Sequence, residues 1–435
     1  MNSNNRQIPT PPIPTSKSSR LLSILLILIA ISIPFIIPHT NHFKTPLLPQ
    51  ILKTLGLNPT ILNPNPNPST QSTHNPISKP CLLWMAPFIS GGGYCSEAWS
   101  YILALNQYSK QSRFRLGIAQ HGDSENVNFW EGLHFEIRNL AYDLVQTQCR
   151  LQESIVICHS EPGAWNPPLF QTTPCPPPNT RFAIGRTMFE TDRVNPEHVN
   201  RCNAMDMVWV PSEFHVSSFV KSGVDPSKVV KVVQAVDTEF FDPMKYRPLD
   251  VSSLGNLLYL LTNPYHSDTN FGNKIVEFVE DSGLEKPVNG WAPVYVIDSH
   301  IAQVDFPKLY KASDAFVLPS RGEGWGRPIV EAMAMSLPVI ATNWSGPTEY
   351  LTEKNSYPLA VDRMSEVIDG PFKGHLWAEP SVDRLRFLMR RVMENPEEAK
   401  RKGKEARKDM LEKFSPEIVA SIVSDQIQRI LDKMG

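Results

Sequence analysis

Residues 318–350 read LPSRGEGWGRPIVEAMAMSLPVIATNWSGPTEY. A short apolar run ends at Pro319-Ser320, a glycine-rich loop follows from Arg321 to Gly326, and Pro328 opens a helix. Glycines at 322, 324 and 326 let the backbone approach a ligand closely. The helix start offers free N–H groups and the positive end of a dipole, which suits a phosphate. Glu323 lies in the loop and Glu331 about one turn into the helix. A carboxylate on each side of a phosphate site can accept hydrogen bonds from a pair of vicinal hydroxyls. A diphosphate between two diol-bearing rings is the outline of a nucleotide sugar. The plainer alternative is a strand-to-helix turn with one surface and one capping glutamate.

Outward from this stretch, strand-length apolar runs alternate with helical ones. Cys81–Ile89, Phe114–Ile118, Ser154–Cys158, Met207–Pro211 and Val229–Val233 form a first series. A turn-rich connector at Asp237–Pro243 separates it from Leu257–Leu261, Val294–Ile297, Ala315–Pro319, Pro338–Thr342 and Tyr357–Val361. Such alternation predicts α/β architecture, with two parallel, doubly wound Rossmann-like domains facing a cleft. Ser415-Pro416-Glu417 starts an amphipathic closing helix, with a capping serine and proline at the first turn.

At this point the chain resembles the family 4 retaining glycosyltransferases, which have the GT-B fold. Glu323 and Glu331 match that family's E-x7-E motif. The resemblance implies that Glu323 and the adjacent N–H groups of Gly324, Trp325 and Gly326 hold the transferred sugar, and Glu331 the ribose diol. Gly346-Pro347-Thr348-Glu349 resembles the family's GG-x-x-E turn with its second glycine replaced. In the first domain, Ser90-Gly91-Gly92-Gly93 resembles the loop that approaches the donor phosphate and the acceptor. Cys158-His159-Ser160-Glu161-Pro162 resembles a strand end at which His159, the candidate catalytic residue, contacts the donor sugar. A core or capping histidine is the competing reading. His121, Arg186 and Glu190 are candidates for the acceptor side, against a buried histidine and a salt-linked surface turn. The implied reaction moves a sugar from a nucleotide sugar to an acceptor with retention of configuration. It needs no cofactor and, with no D-x-D motif in the chain, no metal. The acceptor could be a glycan, a lipid or a protein.

The second series departs from the family in one place. The connector reaches LLYLLTN almost directly, where the family first has a strand, a loop with a basic pair, and a helix. About one strand–helix unit is missing from residues 239–414. The first strand of a doubly wound sheet is central and borders the ligand. The competing function is therefore a catalytically impaired relative, truncated or spliced, acting as a scaffold or partner subunit.

The head of the chain differs from the body. Among 435 residues with net charge −2, the first acidic residue is Glu97, preceded by Arg6, Lys17, Arg20, Lys44, Lys53 and Lys79. That near-neutral total argues against a nucleic-acid binder. Leu21–Pro38 (LLSILLILIAISIPFIIP) has no charge and the length of a bilayer crossing, with no small-residue cleavage site after it. We read residues 1–20 as a cytosolic tail, 21–38 as a signal anchor, and 39–80 as a Pro/Asn-rich stem. The first domain then covers 81–238, the second 239–414 and the closing helix 415–435. This organisation predicts a single-pass type II membrane protein of the secretory pathway, in the Golgi or alternatively an ER or organellar membrane. Part of the excess in the 40 prolines falls in the stem. The six cysteines, all between 81 and 202, lack metal-ligand spacing and are either disulfides or buried thiols. Asn343-Trp344-Ser345, just after an apolar strand, is expected to remain unmodified.

Overall fold

The computed structural model describes residues 25–27, 79–108, 114–250, 258–261, 271–283, 288, 294–297, 301 and 303–434. The strands are β1 (Leu25–Ile27), β2 (Cys81–Ala86), β3 (Arg115–Gln120), β4 (Ser154–His159), β5 (Phe182–Arg186), β6 (Met207–Val210) and β7 (Val229–Lys231). They continue with β8 (Leu258–Leu261), β9 (Val294–Ile297), β10 (Phe316–Leu318), β11 (Val339–Thr342), β12 (Tyr357–Leu359), β13 (Val361–Glu366) and β14 (Leu376–Pro380).

The first sheet has the order β3-β2-β4-β5-β6-β7, with every pair parallel. Its inner strands β2 and β4 are buried on both faces, which is why they read as continuous apolar runs rather than alternating ones, while the edge strands β3 and β7 are half-buried. The order reverses between β2 and β4, and ligands of such sheets bind beyond the strand ends at that reversal. Sequence patterning missed β5, whose FAIGR is short and interrupted by glycine. Gly185 is required because the Trp165 ring lies on it; a Cβ there would sit 2.3 Å from a ring carbon. Four cysteines pair, Cys81 with Cys149 and Cys158 with Cys175, while Cys95 and Cys202 are buried thiols.

The second sheet is also parallel, in the order β12-β11-β10-β1-β8-β9. Its central position is not supplied by residues 239–414. Leu25–Ile27, from the head, lies there between Tyr259–Leu261 and Phe316–Val317. Because Leu25–Ile27 is paired on both sides in this sheet, the signal anchor expected over 21–38 is corrected; the rest of that run and the stem up to residue 78 lie outside the described residues. Among the described residues no helix is long and apolar enough to cross a membrane.

The closing helix Pro416–Met434 returns to the first domain and packs on the helix Gly93–Tyr108. It buries Val419, Val423, Ile427 and Ile430, while Ile418, expected on the apolar face, is exposed. Beyond β12 the chain forms an antiparallel hairpin, β13–β14, which the strand pattern did not signal.

Candidate functional site at the interdomain cleft

The loop after β10 is held from beneath. The Ser345 hydroxyl accepts from the Glu323 N–H and donates to the Glu323 carbonyl, each at 2.9 Å. The Gly346 N–H donates to the same carbonyl at 3.0 Å. Ser345 is thus spent inside the domain, although Asn343 of the same sequon is exposed. The Trp325 ring packs on Tyr350 and Phe414, away from solvent. Gly326 has φ +84°, a conformation that favours glycine, and caps the helix Arg327–Ala334.

The other two glycines serve a purpose the sequence did not reveal. A Cβ on Gly322 would lie 2.6 Å from the Glu190 carbonyl oxygen, and one on Gly324 2.7 Å from Met188 Sδ. Gly322 and Gly324 therefore let the first domain press against the loop.

Both motif glutamates sit where burial disfavours charge. Burial and the neighbouring Glu190 raise Glu323 to about 8, and its Oε1 has no partner. Burial raises Glu331 to about 7, against the opposing pull of Arg327 and Tyr310. The Tyr310 hydroxyl donates to Glu331 Oε2 at 3.2 Å, and Arg327 Nε stands 3.9 Å from Oε1. Arg327 Nη1 is buried and unpaired. Arg327 directly follows the loop in the first turn of the helix, a signal the sequence carries but spacing of the glutamates alone does not bring out.

The facing wall divides in two. His159 was expected at the donor sugar, but it is fully buried. Its Nδ1 accepts from Trp84 Nε1 at 3.0 Å, and its Nε2 donates to Glu97 Oε2 at 2.9 Å. Arg186, expected on the acceptor side, is also fully buried; its Nε and Nη2 donate to Glu97 Oε1, and its Nη1 to the Val232 carbonyl. Burial alone would raise Glu97, but Arg186 and His159 bring it well below its ordinary value. Neither His159 nor Arg186 retains a polar atom for a ligand, so both are corrected to framework roles. His121 is buried too, its Nδ1 donating to the Thr173 carbonyl at 2.6 Å and its Nε2 meeting Ser160 Oγ at 3.0 Å.

The second part of the wall is acidic. Burial, Asp123 and Glu190 raise Glu161 to about 7, and burial raises Glu190 and Asp123. Tyr94, which bonds to Thr187 Oγ1 and the Met188 carbonyl, feels Glu190 and Glu161. Glu190 thus raises both Glu323 and Glu161, and Asp123 and Glu161 complete the acidic group. Gly91 has φ +78° against the Phe129 ring; Gly92 N–H donates to Ser90 Oγ; Gly93 is exposed at the start of its helix. Glu349, of the turn after β11, reaches the first domain, accepting from Lys231 Nζ at 2.7 Å and from the Glu213 N–H at 3.0 Å.

Known proteins match this arrangement. Residues 299–409 match the family Glycosyl transferases group 1. Mannosylfructose-phosphate synthase of Agrobacterium fabrum is 34% identical over 84 residues, 19% of this chain and 17% of that protein. O-antigen chain mannosyltransferase B of Escherichia coli is 33% identical over 87 residues, 20% of this chain and 23% of that protein. The chain thus spans about a fifth of the length of the curated relatives it matches. Among solved structures, a Rickettsia africae glycosyltransferase aligns with a TM-score of 0.54 at 15% identity, covering 82% of this chain and 99% of that one. Anabaena HepE in complex with UDP aligns with a TM-score of 0.51 at 13% identity, covering 80% and 100%. At such identities the likeness concerns the fold. Residues 299–409 are thus similar to Glycosyl transferases group 1, and the chain shares a GT-B-like arrangement of two parallel sheets.

Proposed function

We propose that this protein transfers a hexose from a nucleotide sugar to a hydroxyl-bearing acceptor, with retention of configuration. The observation that carries the reading is the pair Glu323 and Glu331, flanking a helix N-terminus with atoms still unspent. Glu331 accepts the ribose diol, Glu323 accepts hydroxyls of the sugar, and the loop N–H groups face the diphosphate. Arg327 supplies a cation beside the departing diphosphate in place of the basic pair missing from the sequence. Catalysis then rests on positioning and on stabilising the charge that develops on the leaving group, whose oxygen accepts the acceptor proton. The reaction calls for no metal or cofactor. The relatives named as mannosyltransferases and the UDP-bound neighbour suggest GDP-mannose and UDP-glucose as first donors to test. Calorimetric titration with each, using Glu331→Ala as control, tests the reading. Equal binding by Glu331→Ala and the unaltered chain would refute it.

We further infer a placement in an oxidising compartment of the secretory pathway. Two disulfides support it, since disulfides persist in oxidising compartments. Both disulfides intact in protein isolated with free thiols blocked is the expected result, and four reduced thiols in their place would count against it.

One observation favours the second reading, an impaired relative acting as a scaffold: the central strand of the second sheet comes from outside residues 239–414. No donor binding by a well-folded chain would establish that reading over the first.

A further inference from the structure

The β13–β14 hairpin touches both sides of the cleft. On the second domain, the Ala378 N–H donates to the Arg321 carbonyl at 3.0 Å, at the start of the donor loop. Arg321 also pairs with Glu379 at 2.9 Å and lies over the Trp377 ring. At its other end the hairpin grips the first domain. The Asp192 N–H donates to the Leu376 carbonyl at 2.9 Å, and the Leu376 N–H returns a bond to Asp192 Oδ1 at 2.6 Å. The Asn195 Nδ2 donates to the Pro371 carbonyl. With that amide nitrogen spent, Asn195 Oδ1 accepts from His375 Nε2 at 2.6 Å, which leaves His375 Nδ1 to meet Thr191 Oγ1 at 2.8 Å. Phe372 stacks edge-on against Phe189.

These contacts complete a circuit. The gripped segment begins one residue after Glu190, whose carbonyl abuts Gly322, so loop, first domain and hairpin hold one another in place. A donor entering between Gly322–Gly324 and Met188–Glu190 has to separate them, and the hairpin tip resists that separation. The grip consists of a few hydrogen bonds and an aromatic edge, with His375, Thr191 and Phe189 buried and Pro371 exposed, and no ion pair among the described residues crosses it. Such contacts can open without unfolding either domain.

We propose that the β13–β14 hairpin is an interdomain strap that latches the Thr191–Asn195 segment to the donor loop, with His375 as its positioning residue. Its effect on turnover rests on the transferase reading above; its mechanical coupling does not. Hydrogen exchange on the full chain tests it, following amides in 189–195, 318–326 and 371–380. In His375→Ala all three segments exchange faster by about tenfold, while His375→Gln, which keeps a donor and an acceptor, stays near the unaltered chain. Turnover of UDP-glucose or GDP-mannose falls by a similar factor in kcat, with less change in KM. Should His375→Ala fail to fold, Asn195→Ala removes two bonds at the same tip, to His375 and to the Pro371 carbonyl, and carries the same expectation. Acceleration confined to 371–380 overturns the strap. Coupled exchange in a chain that turns over no donor upholds the strap and refutes the transferase reading.

Discussion

Two groups of charged residues, one in each domain, differ in how their polar atoms are used. In the first domain, Glu97, His159 and Arg186 are fully buried and bonded to one another, to Trp84 and to the Val232 carbonyl. In the second, Glu323 Oε1 and Arg327 Nη1 have no partner, and both motif glutamates are pushed toward neutrality by burial. Residue types that look equally catalytic in a sequence thus divide into a finished network and an unfinished one. A finished network holds a wall; an unfinished one is stabilised by completion, and a ligand can complete it.

The sharpest way to break this comparison is to cut the finished network. Arg186→Met leaves Glu97 as a buried charge without its cation and should destabilise folding by about 3–5 kcal/mol, read from urea unfolding. A loss below about 1 kcal/mol would make Arg186 available for ligand rather than for framework. Next in size, Glu331→Ala should reduce kcat/KM for the donor by about 10- to 100-fold, with a loss of stability of only about 1–2 kcal/mol for the bond from Tyr310, because the bonds to the donor are lost only in the complex. A fall in stability with unaltered kinetics would move Glu331 to the framework side. Arg327→Met should weaken UDP binding by about tenfold, measured by calorimetry, as one charge-assisted contact is lost. Unchanged affinity would leave the diphosphate without a cation from this helix.

The smallest effect is in pH. A carboxyl whose folded pKa lies above its ordinary 4.5 holds its proton more tightly when folded. Its contribution to stability is therefore complete below about 4.5 and is lost as pH rises through about 7 for Glu331 and about 8 for Glu323. The ligand-free melting temperature should fall between pH 5.5 and 8.5, a window spanning those values. Glu323→Gln, which cannot ionise, should flatten the slope. An equal slope in both proteins would place Glu323 in a more solvated setting than the structure gives it.

Much of the architecture was legible because parallel strands buried on both faces must be short apolar runs, and ten of them were. β5 escaped because Trp165 demands glycine where a strand-former is usual. The β13–β14 hairpin escaped because VDRMSE and LWAEP are mixed and half-exposed, so neither period stands out. Glu323 and Glu331 were legible from spacing on a strand, loop and helix. His159 was misread because a histidine at a strand end next to the reversal of strand order has the right address, and address says nothing of whether its nitrogens are already bonded.

The sequence by itself determined the alternating α/β plan, the glycine-rich loop and its two glutamates, and the anomaly after the connector. These are local matters of periodicity, chain direction and residue spacing. The tertiary structure alone decided that Gly322 and Gly324 face the first domain and that His159 and Arg186 belong to its frame. It also decided that Leu25–Ile27 fills the centre of the second sheet and that a hairpin links the two halves. Each of these depends on pairing between residues far apart in the chain, where burial and hydrogen-bond satisfaction, rather than local preference, set the outcome.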